Sequence, residues 1–115
     1  MANYNLEDRT LEFVKATRAF VKKLPRCTSN FEDGKQLIRS SGSIGANYIE
    51  ANEALSKKDF KMRMKISRKE AKETCYCLKL VDNGNDEHLE KIRSNLLDEA
   101  TQLLKIMSSI ILKAA

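Results

Sequence analysis

The stretch RSSGSIGANYIEANEALS, residues 39–56, places three serines and two glycines within residues 40–45. Such a run is typical either of a loop that binds a ligand or of a helix whose backbone another helix approaches closely. Apolar and small residues recur through the region at alternating spacings of four and three, at Leu37, Ser41, Ile44, Tyr48, Ala51 and Leu55. Because a loop need not keep this period, the pattern favours a helix. We therefore expect a helix of this chain or of a neighbouring subunit to pack on the small face formed by Ser41, Gly42, Gly45 and Ala46.

The same alternating period marks three further segments, each with one apolar seam. The seam of the first helix is Leu6, Thr10, Phe13, Thr17, Phe20 and Leu24. The seam of the third helix is Phe60, Met64, Ser67, Ala71, Thr74, Leu78 and Val81. The seam of the fourth helix is Leu89, Ile92, Leu96, Ala100, Leu103, Met107 and Ile110.

Capping signals predict where the four helices begin. The expected N-caps are Asn5, Ser29, Ser56 and either Asn85 or Asp86. The first three are followed by acidic residues that complete capping boxes, at Asp8, Glu32 and Asp59. Pro25 is expected to end the first helix, because the residue before proline avoids helical backbone angles. The second and third helices are joined so closely that they could instead form one kinked helix.

Four amphipathic helices with short connections predict an all-α, antiparallel up-down-up-down four-helix bundle, with residues 1–115 as one domain. One proline, four glycines and 32% charged residues are typical of this class. The longest apolar run, near residues 110–112, is far too short to span a membrane. Residues 1–10 lack the pattern of a signal peptide. We therefore expect a cytoplasmic protein that has no membrane contact.

Few residues suggest catalysis or cofactor binding. The single histidine, His88, lies in a polar first turn, and we expect it to face solvent rather than to act as a base or a ligand. The Gly-x-x-Gly at Gly42 and Gly45 lacks the lysine and the hydroxyl residue of a phosphate-binding loop. Cys75 and Cys77 point in different directions on a helix, which favours packing over a zinc or redox site. We expect no catalytic residue, metal or cofactor, and the enzyme class is disfavoured.

Two pairs of glutamates remain, Glu50 with Glu53 and Glu70 with Glu73, and each pair lies one helical turn apart. Carboxylates at this spacing share a helix face, where they could bind a metal ion or accept hydrogen bonds from basic side chains. Ion pairing within the bundle or between subunits is the favoured interpretation. The candidate partners are Lys69, Lys72 and Arg39.

The formal charge of +5 is concentrated in one segment. Residues 56–79 contain nine basic and three acidic residues, an excess of +6. Six of the basic residues lie on one helix face at spacings of three or four, and we call them the basic band: Lys58, Lys61, Lys65, Arg68, Lys69 and Lys72. Such a band is typical either of an ordinary solvated helix face or of a surface that contacts nucleic-acid phosphates. Tyr76 is the only aromatic residue in the distal half of this helix, so base stacking is not expected.

Two runs of the sequence resemble the motifs of a known family. Residues 40–47, followed by Glu50 and residues 56–60, are similar to the serine-rich SSSSIxANIAEG…SxKEF stretch of small bacterial four-helix-bundle proteins that include the 23S ribosomal RNA intervening-sequence proteins. Residues 65–74 resemble a variant of the third-helix motif in which ISRKEAKET replaces IAxGSxxE. The chain departs from these motifs where AEG becomes Ile49-Glu50-Ala51 and where Gly-Ser becomes Lys69-Glu70.

The resemblance implies a homopentameric ring with a central channel and a link to ribosomal RNA, and it supplies no catalytic site. Related bundle proteins that accompany diversity-generating retroelements bind nucleic acid. Residues that match the motifs are then expected near subunit contacts: Ser41, Gly45, Asn47, Glu50, Glu70 and Glu73. The expected function is a non-enzymatic ring whose basic band contacts RNA or DNA phosphates. The alternative is a purely structural or adaptor oligomer that binds no nucleic acid.

Overall fold

Four α-helices make up nearly all of residues 5–114, which are the residues that a computed structural model describes. The helices are α1 (Leu6–Lys23), α2 (Thr28–Asn52), α3 (Lys57–Leu80) and α4 (Glu87–Lys113). No strand occurs within residues 5–114. Each helix packs antiparallel on the next, and α1 also packs on α4, which closes the bundle. The predicted all-α, antiparallel four-helix bundle is confirmed. Residues 1–4 and 115, to which the predicted domain limits and part of the signal-peptide argument refer, lie outside the described residues.

Three of the four predicted helix starts are confirmed by their capping hydrogen bonds. The backbone N–H of Asp8 donates to Asn5 Oδ1 at 2.8 Å. In the same way Ser56 Oγ accepts from the backbone of Asp59 at 3.1 Å, and Asp86 Oδ1 accepts from the backbone of Leu89 at 3.0 Å. These caps satisfy backbone donors that have no partner inside the helix. Leu24, which precedes Pro25, is extended at the end of α1, as expected.

The start and the end of α2 differ from the prediction. The helix begins at Thr28 with Cys27 as its N-cap, so Ser29 lies inside the first turn and the predicted Ser29–Glu32 capping box is wrong. Cys27 has an extended backbone, and its carbonyl accepts the first helical hydrogen bond from the Phe31 N–H at 3.0 Å, which places Ser29 within the helix. Leu55 is wrong as a seam residue, since α2 ends at Asn52 and Leu55 is 99% exposed. Ser56 is extended, so α2 and α3 are separate helices rather than one kinked helix.

The core lies where the four seams meet. Its largest fully buried apolar side chains are Phe20, Leu37, Ile44, Met64, Leu78, Leu103 and Met107. At the end of α4 the seam moves by one residue, so that Ile111 is buried and Ile110 is only half-buried.

The interface between α2 and α3 contains buried hydroxyl groups among its apolar residues. Ser67 Oγ of α3 donates to the backbone carbonyl of Ile44 in α2 at 2.8 Å. The hydroxyls of Thr74 and Ser40 are 2.9 Å apart, and Thr74 Oγ1 is also 2.8 Å from the carbonyl oxygen of Glu70. These polar groups are buried but hydrogen-bonded, so their burial carries little penalty. Their small side chains let the two backbones lie close together.

The opposite side of α2 is packed closely by α1. A Cβ atom added at Gly45 would lie 2.6 Å from Thr10 Oγ1, and one added at Gly34 would lie 3.1 Å from Val21 Cγ1. A Cβ atom added at Gly42 would be 3.7 Å from its nearest neighbour, which is ordinary contact. The helix that approaches the small face of α2 at Gly45 is therefore α1 of the same chain.

Asn30 joins the two connections at one end of the bundle. Its Nδ2 donates to the carbonyl oxygens of Pro25 and Asp82, each at 2.9 Å. Its Oδ1 accepts from the backbone N–H of Asp82 at 2.9 Å. The α1–α2 connection and the α3–α4 connection are thus held together by one buried amide.

Alanine substitutions at the two glycines are expected to shift stability in opposite directions. Gly45→Ala places a methyl group against Thr10 and is expected to destabilise the fold by about 1–3 kcal/mol. Gly42→Ala meets only ordinary contacts and is expected to be neutral or to stabilise the fold by up to about 1 kcal/mol, because alanine is the better helix former. Urea unfolding followed by circular dichroism measures both. Equal effects at the two positions would contradict the close approach at Gly45.

Removal of the Asn30 amide is expected to destabilise the fold by about 2–3 kcal/mol, because Asn30→Ala leaves buried backbone groups without partners. Ser29→Ala is the matched control. Since Ser29 is no N-cap, the control is expected to change the free energy of unfolding by less than about 0.5 kcal/mol. A loss near 1 kcal/mol at Ser29, the size of a lost cap, would restore the original capping prediction.

Candidate nucleic-acid interface

The six residues of the basic band lie on the face of α3 that points away from the core. At about 100° per residue they cover an arc of about 100° opposite the buried seam. Lys58, Lys65, Lys69 and Lys72 are exposed, and Lys61 and Arg68 are half-buried. Arg68 precedes Cys75 by about two helical turns and Lys61 precedes it by about four, so all three residues lie on one side of α3. On that side Cys75 Sγ lies 3.9 Å from Thr101 Oγ1 of α4. The band therefore extends from the outward face of α3 toward α4.

Four lysines of the band flank an apolar patch on the surface of α3. Met62 and Ile66 contribute the apolar side chains of the patch, and the lysines beside them are Lys58, Lys61, Lys65 and Lys69. Lysine stems cover apolar surface while their ammonium groups remain in water. This arrangement spaces positive charges along α3 and suits a polyanion better than a small apolar ligand.

No residue of the band forms an ion pair with another residue of the described chain, residues 5–114. The acidic residues of α3 are placed so that they offset little of this charge. Asp59 lies in the first turn, where its charge favours the helix dipole. Glu70 and Glu73 both pair with Arg39 of α2. The carboxylates of α3 thus leave the six band residues without a direct ion-pair partner within residues 5–114.

Arg39 bridges the second glutamate pair. Its Nη1 lies 3.3 Å from Glu70 Oε2, and its Nη2 donates to Glu73 Oε2. Glu70 is only 6% exposed, and its Oε2 has no hydrogen bond beyond this ion pair. The predicted ion pairing with Arg39 is confirmed, whereas pairs with Lys69 and Lys72 are not formed. Both carboxylates of this pair are thus engaged by one guanidinium.

The first glutamate pair lies at the other end of the α2–α3 interface. Glu50 and Glu53 are exposed, and they line a shallow depression together with Asp59 and Arg63. Within residues 5–114, no three His, Cys, Asp or Glu side chains are placed so that they could hold a metal ion. These acidic groups are therefore solvated surface charges near the start of the basic band.

The motif residues differ in what they contact. Ser41 is fully buried and its hydroxyl donates to the carbonyl of Ile38 at 3.1 Å. Asn47 Nδ2 donates to the carbonyl of Ser43 at 2.9 Å, and Asn47 Oδ1 accepts from Arg63 at 3.4 Å. Gly45 packs against α1, and Glu70 pairs with Arg39. All four of these motif residues therefore make contacts within residues 5–114. Glu50 and half-buried Glu73 are the motif residues whose carboxylates reach solvent.

Tyr76 is an aromatic residue on the surface of α3. Its side chain is 65% exposed. It continues the stripe formed by Lys65, Lys69 and Lys72, because these four residues follow one another at spacings of four, three and four. The signal is present in the sequence, since this spacing keeps residues on one helix face. The expectation that no base stacks on α3 rests on the absence of further aromatic residues, whereas Tyr76 itself lies within the arc of the band.

The single histidine and the buried cysteine of α3 have different surroundings. His88 is exposed in the first turn of α4, and no side-chain hydrogen bond involves it anywhere in residues 5–114. Burial raises the pKa of the Cys77 thiol, and the nearby carboxylates of Glu73 and Asp33 raise it further. A thiol with a raised pKa remains protonated and is a poor nucleophile.

None of the helices within residues 5–114 is both long enough and apolar enough to cross a membrane.

The chain is similar to a family of known proteins and to a solved structure. A crystal structure of a protein with unknown function from the S23 ribosomal protein family of Bacteroides thetaiotaomicron VPI-5482 has the same fold, with a TM-score of 0.79. It is 33% identical to this chain, and the alignment covers 93% of this chain and 98% of that chain. No curated protein matches the sequence. The family described as 23S rRNA-intervening sequence protein matches residues 3–109. The chain therefore belongs to the 23S rRNA-intervening sequence protein family.

Proposed function

We propose that this protein is a non-enzymatic, cytoplasmic homo-oligomer that binds the phosphate backbone of structured RNA or DNA through the basic band. One observation carries the proposal: six cationic side chains share one outward helix face, and none of them has an ion-pair partner within residues 5–114. Unpaired positive charge on one side of a small domain is the electrostatic signature of nucleic-acid binding.

The chemistry of the band determines what kind of binding it supports. Five of its six residues are lysines, which act on phosphates as mobile point charges rather than as planar forks. Phosphate contacts of this kind release counterions, so affinity falls steeply as salt rises. They carry no sequence information by themselves. Binding through the band is thus expected to be strong at low salt and nearly independent of sequence.

The family name supports RNA as the first nucleic acid to test. The matching family is described by the 23S rRNA intervening sequence, and the similar crystal structure is assigned to a ribosomal protein family. These descriptions apply to the relatives. For this chain they suggest fragments of 23S ribosomal RNA as probes.

Self-association is proposed through the outer side of the α1–α2 pair. The apolar side chains Leu11, Phe31 and Ile49 are exposed there, and half-buried Val14 and Val21 lie between the two helices. An exposed apolar stripe of this length is typical of a protein interface. Since α1 does not pack on α3, assembly through this stripe leaves the basic band free. The resemblance to the family suggests a pentamer.

The competing function is a structural or adaptor oligomer that does not bind nucleic acid. The same apolar stripe favours it, because assembly through α1 and α2 requires no ligand. The two functions differ in the response of RNA binding to salt and to the charge of α3.

Charge reversal in the band is expected to abolish RNA binding without loss of the fold. The triple variant Lys61→Glu, Lys65→Glu, Lys72→Glu is expected to weaken binding of a 23S ribosomal RNA stem-loop by at least about 100-fold at low salt, because three phosphate contacts become repulsive. Fluorescence anisotropy over a salt series measures the affinity, and circular dichroism checks the helix content.

The matched control reverses three exposed lysines outside α3, in the triple variant Lys15→Glu, Lys23→Glu, Lys91→Glu. It changes the net charge equally but is expected to retain binding within about tenfold, because only long-range attraction is lost. If both triple variants lose affinity equally, net charge rather than the band is responsible. If the wild-type chain does not bind at low salt, or binds without salt dependence, the structural oligomer is the better account.

Assembly is expected to give a particle of about five times the chain mass of 13.1 kDa in light scattering. The double variant Leu11→Glu, Ile49→Glu is expected to lower that mass to one chain, because charge placed on the stripe must be desolvated on assembly. Leu112→Glu, at an exposed leucine near the end of α4, is the control and is expected to keep the wild-type mass. A monomeric wild-type chain would contradict the oligomer.

A further inference from the structure

We propose that Tyr76 is a stacking platform for one unpaired base of the nucleic acid that the basic band holds by its phosphates. The inference rests on the proposed function and adds a second kind of contact to it. The ligand it predicts is a structured nucleic acid with an unpaired nucleotide beside the segment whose backbone follows α3, such as a loop, a bulge or a single-stranded end.

The position of Tyr76 carries the argument. An α-helix rises about 1.5 Å per residue, so Tyr76 lies about 6 Å beyond Lys72 along the axis of α3. The ring continues the line of Lys65, Lys69 and Lys72 on the same outward face and is 65% exposed. A strand whose phosphates follow the lysines therefore brings its next base to the level of the ring.

The surroundings of Tyr76 keep the ring accessible and basic. Lys72 and Lys79 lie one turn to either side of it, and both are exposed. The carboxylate nearest in sequence, Glu73, is bound to Arg39 of α2. Within residues 5–114, the Tyr76 hydroxyl makes no hydrogen bond, so the fold does not hold the ring through its polar group. An aromatic ring that is 65% exposed is available to an external π-surface.

The chemistry of stacking sets the ligand class. Bases inside a duplex are already stacked on one another and present no free face to a side chain. An unpaired base can lie flat on a tyrosine ring, and this contact tolerates any base. Because one ring accepts one base, the platform adds affinity for a junction between paired and unpaired segments rather than for a long single strand.

The test compares two RNA probes that differ only in an unpaired segment. One is a blunt-ended duplex of two strands, and the other is the same duplex with a short single-stranded 3′ tail that contains 2-aminopurine. Tyr76→Leu is expected to weaken binding of the tailed duplex by about tenfold and to leave binding of the blunt duplex unchanged. Tyr76→Phe keeps the ring and is expected to bind both probes within about twofold of the wild-type chain. The wild-type chain is expected to quench 2-aminopurine fluorescence, and Tyr76→Leu is not.

Phe31→Leu, which removes an exposed ring from α2, is the matched control and is expected to have no effect on either probe. The same probes made as DNA show whether the 2′-hydroxyl contributes. If Tyr76→Leu binds the tailed duplex as tightly as the wild-type chain does, the inference is overturned while phosphate binding by the band stands. If the wild-type chain binds neither duplex at low salt, the proposed function and this inference are both overturned.

Discussion

The close packing of α2 against helices on two sides is the constraint on which the rest of the bundle depends. On one side Thr10 of α1 lies so close to Gly45 that a Cβ atom at this position would be 2.6 Å from Thr10 Oγ1. On the other side Ser67 bonds directly to the α2 backbone at Ile44, and the hydroxyls of Ser40 and Thr74 meet. Glycine and serine are poor choices for helix stability. Their presence in the middle of a 25-residue helix is explained by the contacts that they permit.

This packing also determines the surface charge of α3. When the hydroxyl seam of α3 faces α2, the lysines on the opposite side must face solvent. The same arrangement brings Glu70 and Glu73 within reach of Arg39, which binds both carboxylates. Burial of Glu70 is tolerated because its charge is paired. The internal contacts of α2 with α3 therefore direct the carboxylates of Glu70 and Glu73 toward Arg39 rather than toward the lysines of the basic band.

Most of the fold could be predicted from the sequence because helical periodicity and capping are local signals. The seams and the caps at Asn5 and Ser56 needed only residues within a few turns of one another. The hydrogen bonds of Asn30 to Asp82 across the bundle could not be predicted in this way, because they join residues 52 positions apart. The basic band was predictable from residue spacing. The absence of ion pairs in the band within residues 5–114 could not be predicted, because it depends on Arg39 of another helix. The exposure of Tyr76 could not be predicted either, because it depends on the rotation of α3 in the bundle.

Phosphate contacts and base stacking would respond differently to salt. The lysines of the basic band and the ring of Tyr76 would therefore contribute differently to binding. Lysine contacts to phosphate weaken as counterions compete. Stacking on an aromatic ring buries apolar surface, which salt affects little. The band alone would hold any polyanion at low salt and discriminate poorly. An aromatic ring at its end would retain a preference for unpaired bases at salt concentrations where the lysine contacts are weak, so selectivity would increase as affinity falls.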